Sequence, residues 1–253
     1  MTKKSRFSLI LIYCIAVFLL FSPYLKQAVL IFQTQDVTIE RTKTIGALEE
    51  VPLEAVQPPD LADTLAFEKK QIFQAIGQII IPKVEIGLPI FPGLDNQQML
   101  VGAGTLFPER TVEAHNMVVV GHHLGRNNLL FGKLLEVTVG DDLYLEYQND
   151  FYHYTVTQTK LIQQTNIQVT DDKNSSEITL ITCDKPTQTQ QRFIVKGKLT
   201  KTPDKKTKQK VLLQKETVQI KNQKKDRYYC IAMIVLLLLA LLIGIRVIYK
   251  ISE

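Results

Sequence analysis

Two long apolar runs, one near each end of the 253-residue chain, constrain what the middle can become. Residues 7–21 follow Lys3, Lys4 and Arg6 and give way to Ser22, Pro23 and Lys26. Secretory signals and uncleaved anchors both have a charged start and an apolar middle. No small-x-small cleavage pattern follows, so an anchor with a cytoplasmic N-terminus is favoured. Residues 228–249 carry no charge from Cys230 to Ile245, and Tyr228, Tyr229 and Tyr249 sit at the edges. About 20 apolar residues cross a bilayer, and edge tyrosines suit its interface. A surface helix of a soluble domain would carry a polar face, which this run lacks.

Two spans place both termini in the cytoplasm and residues 32–227 outside. Lys221, Lys224, Lys225 and Arg227 oppose this, because they outnumber Arg246 and Lys250 on the far flank. The first segment usually dominates orientation and long segments cross regardless of charge, which keeps the two-span topology. The expected organisation is an anchor over 1–31, a stalk and capping helix over 32–76 and a catalytic domain over 77–200. A basic linker over 201–227, a second span over 228–249 and a cytoplasmic tail over 250–253 complete it.

Between the spans the period changes. Leu65, Phe67, Ile72, Phe73 and Ile76 have helical spacing, which predicts the capping helix over 61–76. From Gly77 onward short strands are expected at 78–82, 84–86, 88–90 and 116–120, punctuated by Gly and Pro. Residues 95–100 and 129–135 read as short helices. Residues 142–147 and 151–156 flank Gln148-Asn149-Asp150 as a hairpin. Residues 163–177 read as a polar loop, and 177–183 and 191–197 as two more strands. Short strands with turn signals predict an all-β barrel or sandwich. The lysine-rich stretch 198–227 reads as an extended or partly helical solvated linker; contact with anionic wall polymers or lipid headgroups is its sharper alternative.

Cys183 is the one cysteine of the middle, since Cys14 and Cys230 lie in the apolar runs. It ends the strand Glu177-Ile178-Thr179-Leu180-Ile181-Thr182-Cys183, just before Asp184-Lys185-Pro186. Free cysteines are often small buried hydrophobes. An unpaired thiol outside the cell is better explained as reactive or intermolecular. Reactivity needs the thiolate, which a nearby cation favours. His122 follows Val118-Val119-Val120-Gly121, so it too stands where a buried strand ends. His123 is a second imidazole, of structural or substrate-lining character; His115 falls in a polar turn and His153 on the outside of the hairpin. Arg192 opens the strand after Cys183, and antiparallel pairing would bring it back to the thiol. A guanidinium there suits a peptide carbonyl or a developing oxyanion; an ordinary surface arginine is the alternative.

Together these residues resemble the sortase family. The resemblance rests on Thr-Leu-Ile-Thr-Cys at 179–183, Gly-His at 121–122, Arg192, the stretch at 81–90 and Gly-Ala-Gly-Thr-Leu at 102–106. It covers residues 77–200 and implies an eight-stranded β-barrel with short helices, flanked here by two transmembrane helices. It further implies Cys183 as nucleophile, His122 as general acid/base, Arg192 as substrate-orienting or oxyanion-stabilising cation, and Thr182 and His123 as substrate-binding. The implied partners are secreted proteins with a Leu-Pro-x-Thr-Gly-like signal and an amine acceptor of a cell-wall precursor or a pilin lysine, at the membrane. No nucleic acid and no obligate cofactor are expected. Some class A members bind calcium, and Glu109, Glu113, Asp171 and Asp172 are the acidic residues to examine for it.

Two membrane runs are more like the pilin-polymerising class C, but no Asp-Pro lid motif occurs in 32–76. The Leu-Ile-Thr-Cys-Asp ending is more like class A. A cysteine protease is the rival: a papain-like enzyme places Cys before His, and the caspase signature is absent. An inactive tethered scaffold would have no use for Cys, His and Arg together.

Overall fold

The computed structural model describes residues 3–42 and 52–251; part of the expected stalk and the last tail residues lie outside them. The chain divides into two compact units, residues 1–35 with 222–253, and residues 36–221. In chain order the elements are α1 (Lys3–Thr34), β1 (Thr38–Arg41), α2 (Leu61–Leu65), β2 (Ile72–Ala75), β3 (Gly77–Ile81), β4 (Ile86–Pro92) and α3 (Asn96–Met99). β5 (Ala103–Thr105), β6 (Asn116–Gly121), β7 (Asp142–Tyr147), β8 (Asp150–Gln163), β9 (Glu177–Cys183), β10 (Gln191–Leu199) and α4 (Lys205–Ile251) follow.

Eight strands close into a barrel in the order β10-β8-β7-β3-β4-β5-β6-β9. Closure removes the unpaired edges that an open sheet would expose. Side chains alternate across each strand, so Ile79 and Ile81 of β3, Met117 and Val119 of β6 and Ile178 and Leu180 of β9 fill the interior with Leu143, Leu145 and Tyr154. The opposite faces are also covered. Val120 and Ile181 meet Leu94, Met99 and Leu106. Ile80, Tyr144 and Phe151 meet Val211 and Leu212 of α4. Strands covered on both faces read as continuous apolar runs, and all six residues of β6 are buried.

One expectation fails for an identifiable reason, and a second is met only in part. The capping helix stops at Leu65, where the Asp60–Asp63 capping box starts a five-residue helix. Phe73 and Ala75 then point inward in β2, which pairs in parallel with β1. The apolar spacing fitted either period, and burial of Phe73 against Phe67 (centroids 5.7 Å apart) and Phe91 decided for a strand. The lysine-rich stretch is helical from Lys205 onward. Val211 is buried, Lys208 pairs with Glu146, Lys215 donates to Gln78 and Lys221 pairs with Glu85. Smaller differences are a 3-10 turn over Pro82–Val84 in place of a strand and one over Leu134–Glu136 in place of a longer helix.

In the other unit α1 and the second half of α4 run antiparallel. The Tyr13 hydroxyl donates to the Ala240 carbonyl (2.7 Å) and Arg6 lies over the Tyr249 ring (5.5 Å). Both helices are long and apolar enough to cross a membrane.

Candidate active site

Strand pairing brings the predicted residues to one end of the barrel. β6 and β9 are parallel with Val120 opposite Ile181, so His122 and Cys183 follow two positions later on adjacent chains. β9 and β10 are antiparallel with Arg192 directly opposite Cys183. The Thr182 hydroxyl donates to the Gly121 carbonyl (2.8 Å) and ties the two strand ends together. Gly121 is required there: a Cβ would collide with the Phe131 ring, and the Phe131 N–H donates to the His122 carbonyl at 3.0 Å.

The His123 Nδ1 lies 3.0 Å from the Cys183 carbonyl. A carbonyl only accepts, so Nδ1 carries the proton. This imidazole steadies the backbone of the thiol-bearing residue and lines neither of the two cavities at the site. The difference from a substrate-lining role arises because the ring turns back toward β9. Thr182 does line the larger cavity.

Cys183 is 6% exposed, at the floor of a cleft of about 810 Å³. Burial pushes its thiol up, the Arg192 guanidinium pulls it down and Asp184 adds to the rise, leaving it raised. Arg192 is held by Thr189 O (2.8 Å), Gln191 O (3.0 Å) and Gln164 Oε1 (3.0 Å). Gln164 was invisible in the sequence, where it was one amide in a polar loop. Only the register of β8 against β10 singles it out, since Gln163 pairs with Gln191.

His122 is 3% exposed and opens on a different cavity, of about 460 Å³. Burial pushes its pKa down to about 4, against the opposing field of Asp63. The imidazole is therefore neutral at neutral pH and the thiol protonated. No hydrogen bond joins the two side chains among the described residues. Residues 52–59 run between them as a strap, and Ala55 and Gln57 line both cavities. The strap is pinned to Leu94 by backbone bonds at Leu94 N to Pro52 O (2.6 Å) and Glu54 N to Leu94 O (2.8 Å). The Glu54 carboxylate accepts from Asn96 N (2.9 Å), and Val56 packs on Leu94, Met99 and Val120. Nothing in the proline-bearing, aperiodic sequence of 52–59 marked it as part of the site.

Two of the four acidic residues considered for calcium use their carboxylates on protein partners. Glu113 accepts from the Tyr152 hydroxyl (2.7 Å) and Asp172 pairs with His115 and with the Asn116 amide. Asp171 reaches the same region through its backbone carbonyl. Among the described residues, Glu109 included, no three His, Cys, Asp or Glu side chains converge to hold a metal.

Comparison with known proteins gives this arrangement a family. Residues 79–200 match the model described as Sortase domain. Over 212 residues, 80% of this chain and 93% of the relative, the chain is 34% identical to sortase A of Listeria monocytogenes. It is 31% identical over 160 residues to sortase A of Bacillus anthracis, covering 62% of this chain and 75% of that one. The solved structure of Listeria monocytogenes sortase A aligns with a TM-score of 0.51 at 37% identity, over 54% of this chain and 96% of that chain. The chain belongs to the sortase family. It is a sortase-type transpeptidase whose closed eight-stranded barrel is the sortase fold.

Proposed function

We propose that Cys183 is the acyl-accepting nucleophile, His122 the general acid/base and Arg192 the cation facing the carbonyl. The observation that carries this is the register: Arg192 is the cross-strand partner of Cys183, and His122 follows the strand beside it. The donor is a secreted protein bearing a Leu-Pro-x-Thr-Gly-like signal. Once residues 52–59 have moved aside, the Cys183 sulfur attacks the Thr carbonyl carbon and its proton passes to His122. The Arg192 guanidinium stabilises the oxyanion. The Thr–Gly C–N bond breaks as His122 protonates the departing amine, leaving a thioester on Cys183. An amine of a cell-wall precursor then attacks the thioester, gives its proton to His122, and the thiol leaves. A neutral thiol–imidazole pair holds the right number of protons for this cycle, because moving one proton between them yields the thiolate–imidazolium form. No step uses a metal.

The relatives named sortase A support a class A role in anchoring proteins to the wall. The second apolar helix favours one alternative acceptor, a pilin lysine as in class C. The test is a sorting-signal peptide incubated with the full-length enzyme, with and without an amine acceptor. Transfer product with an oligoglycine amine supports the reading, transfer only to a lysine peptide supports class C, and hydrolysis alone in every arm means a tethered cysteine protease. The same reading places residues 32–227 outside the cytoplasmic membrane and both termini inside. Labelling of the 201–225 lysines in intact, wall-stripped cells by an impermeant reagent supports it; their protection until the membrane is opened overturns it.

A further inference from the structure

The cleft beside Cys183 has one wall that belongs to no strand. It runs through the loop between β8 and β9, and Gln164, Asn166, Ile167, Val169 and Thr170 from it line the cleft. Its centre is a single 3-10 turn, Ile167–Thr170. A turn that short leaves its last carbonyls without partners of its own.

Those carbonyls converge on two residues outside the loop. Asn116 Nδ2 donates to Val169 O (3.3 Å) and Asp171 O (3.2 Å), and Arg110 Nη1 donates to Thr170 O (3.2 Å). The same Arg110 nitrogen donates to the Asn116 carbonyl at 2.8 Å. The remaining polar groups of Asn116 are also used. Its N–H donates to Asp172 Oδ1 (3.2 Å) and its Oδ1 accepts from the Thr179 hydroxyl (2.8 Å). Asn116 and Thr179 are both buried, at the start of β6 and on β9, so the anchor point is the barrel itself. The Arg110 guanidinium carbon stands over the Phe107 ring, 3.6 Å from its centroid, which helps to hold the side chain in place. The wall also reaches the chemistry, because its first residue, Gln164, accepts from Arg192.

We infer that Arg110 and Asn116 are positioning residues that latch this wall to the barrel and thereby set how tightly and how selectively the donor peptide is held. The inference rests on the proposed reading of the cleft as the donor site. Neither residue lines the cleft, and both act through the carbonyls at 169–171. With the latch loosened, the wall samples conformations that do not fit the donor. Only the fitting fraction binds, so apparent affinity falls in proportion.

The experiment compares the full-length enzyme in detergent with Arg110→Gln, Asn116→Asp and Arg110→Lys. Asn116→Asp keeps the buried volume and the Thr179 bond but turns both donors into acceptors facing carbonyls. For Arg110→Gln and Asn116→Asp the donor KM rises on the order of tenfold, the scale of one or two lost hydrogen bonds. The kcat stays within about twofold, discrimination between donors differing in one side chain narrows, and Cys183 reacts with a small methanethiosulfonate at the parental rate. Arg110→Lys recovers most of the KM. A merely destabilised enzyme would lower the active fraction and hence kcat at constant KM, and that result overturns the latch. Hydrogen exchange supplies a readout that needs no donor. The amides of 166–174 are expected to exchange roughly tenfold or more faster in Arg110→Gln, with β6 and β9 unchanged. Unchanged exchange in the wall overturns the latch even if no sorting peptide is cleaved, whereas faster exchange with an inert parent enzyme would strike the donor assignment alone.

Discussion

Cys183 and His122 end neighbouring strands in one register, yet their surroundings differ in kind. The thiol lies at the floor of a cleft whose rim supplies a guanidinium and a loop wall. The imidazole lies behind the strap in a pocket with Pro59, Leu100 and the Asp63 carboxylate. Strand geometry delivers both residues to the same end of the barrel, and burial there pushes the thiol up and the imidazole down. Arg192 opposes the rise in the thiol pKa, whereas Asp63 leaves the imidazole pushed down to about 4.

The sharpest way to break this comparison is to delete one end of it. Cys183→Ala is expected to abolish both cleavage and transfer of a sorting peptide, because no other thiol reaches the cleft among the described residues. The fold should persist, since removing one sulfur costs on the order of 1 kcal/mol. Product formation by this variant, read by mass spectrometry, would remove the nucleophile from the scheme.

His122→Ala comes next. Loss of a general acid/base costs roughly 100-fold or more in kcat/KM. His123→Ala should cost far less, about tenfold at most, because it removes one hydrogen bond to the Cys183 carbonyl. Initial rates of the two variants decide the order, and a reversal would exchange the roles of the two imidazoles.

The strap tests why the two ends differ. Val56→Asp places a charge among Leu94, Met99 and Val120 and should release residues 52–59. Opening joins the two cavities and hydrates His122, so its pKa rises from about 4 toward the ordinary 6.5. Below that pKa the imidazole is protonated while the thiol still holds its own proton, and the pair is unproductive. The acid limb of kcat/KM should therefore move to higher pH in the variant. At pH 7 the rate should rise, on the order of tenfold, the fraction of closed enzyme released. An unmoved acid limb would mean that the strap does not set the state of His122.

Much of this was legible in the sequence. The barrel strands were, because β6, β9 and the β7–β8 hairpin carry their own period and turn signals. The placement of Cys183, His122 and Arg192 at one end of the barrel was, because each sits at the end of such a strand, where pairing alone fixes its neighbours. The strap, Gln164 and the Arg110–Asn116 anchor were not. Their roles come from contacts between segments distant in sequence: Glu54 with Asn96, Gln164 with Arg192, and Arg110 with Thr170. No local pattern encodes such pairings. The lysine-rich stretch, read as partly helical, was only half legible for a related reason. Its charge resembled that of a solvated linker until Glu85, Glu146 and Gln78 of the barrel supplied partners.

That last region offers the smallest effect and the control for the rest. Glu146 is buried under the first turns of α4, receiving Arg41 (2.7 Å), Lys208 (3.2 Å) and the Gln78 amide. Burial alone would push its carboxyl up, but Arg41, Gln78 and Lys208 together outweigh it and hold the pKa below the usual value. A carboxyl depressed on folding stabilises the protein fully above its unfolded pKa, and that contribution is lost as pH falls through the folded value. Glu146→Gln should therefore cost about 1.5 kcal/mol at pH 7, the scale of a hydrogen bond to a charged group. The cost should shrink as pH falls below 4.5, where the parent loses the same contribution. The urea midpoint followed by tyrosine near-ultraviolet dichroism, measured at pH 7 and below 4.5, gives both numbers. The kcat/KM at pH 7 should not change, because Glu146 touches neither cavity of the site. A fall in kcat/KM without a fall in stability would show that the helix docked on the barrel takes part in catalysis, and would erase the separation between the end of the barrel proposed to do chemistry and the face that holds α4.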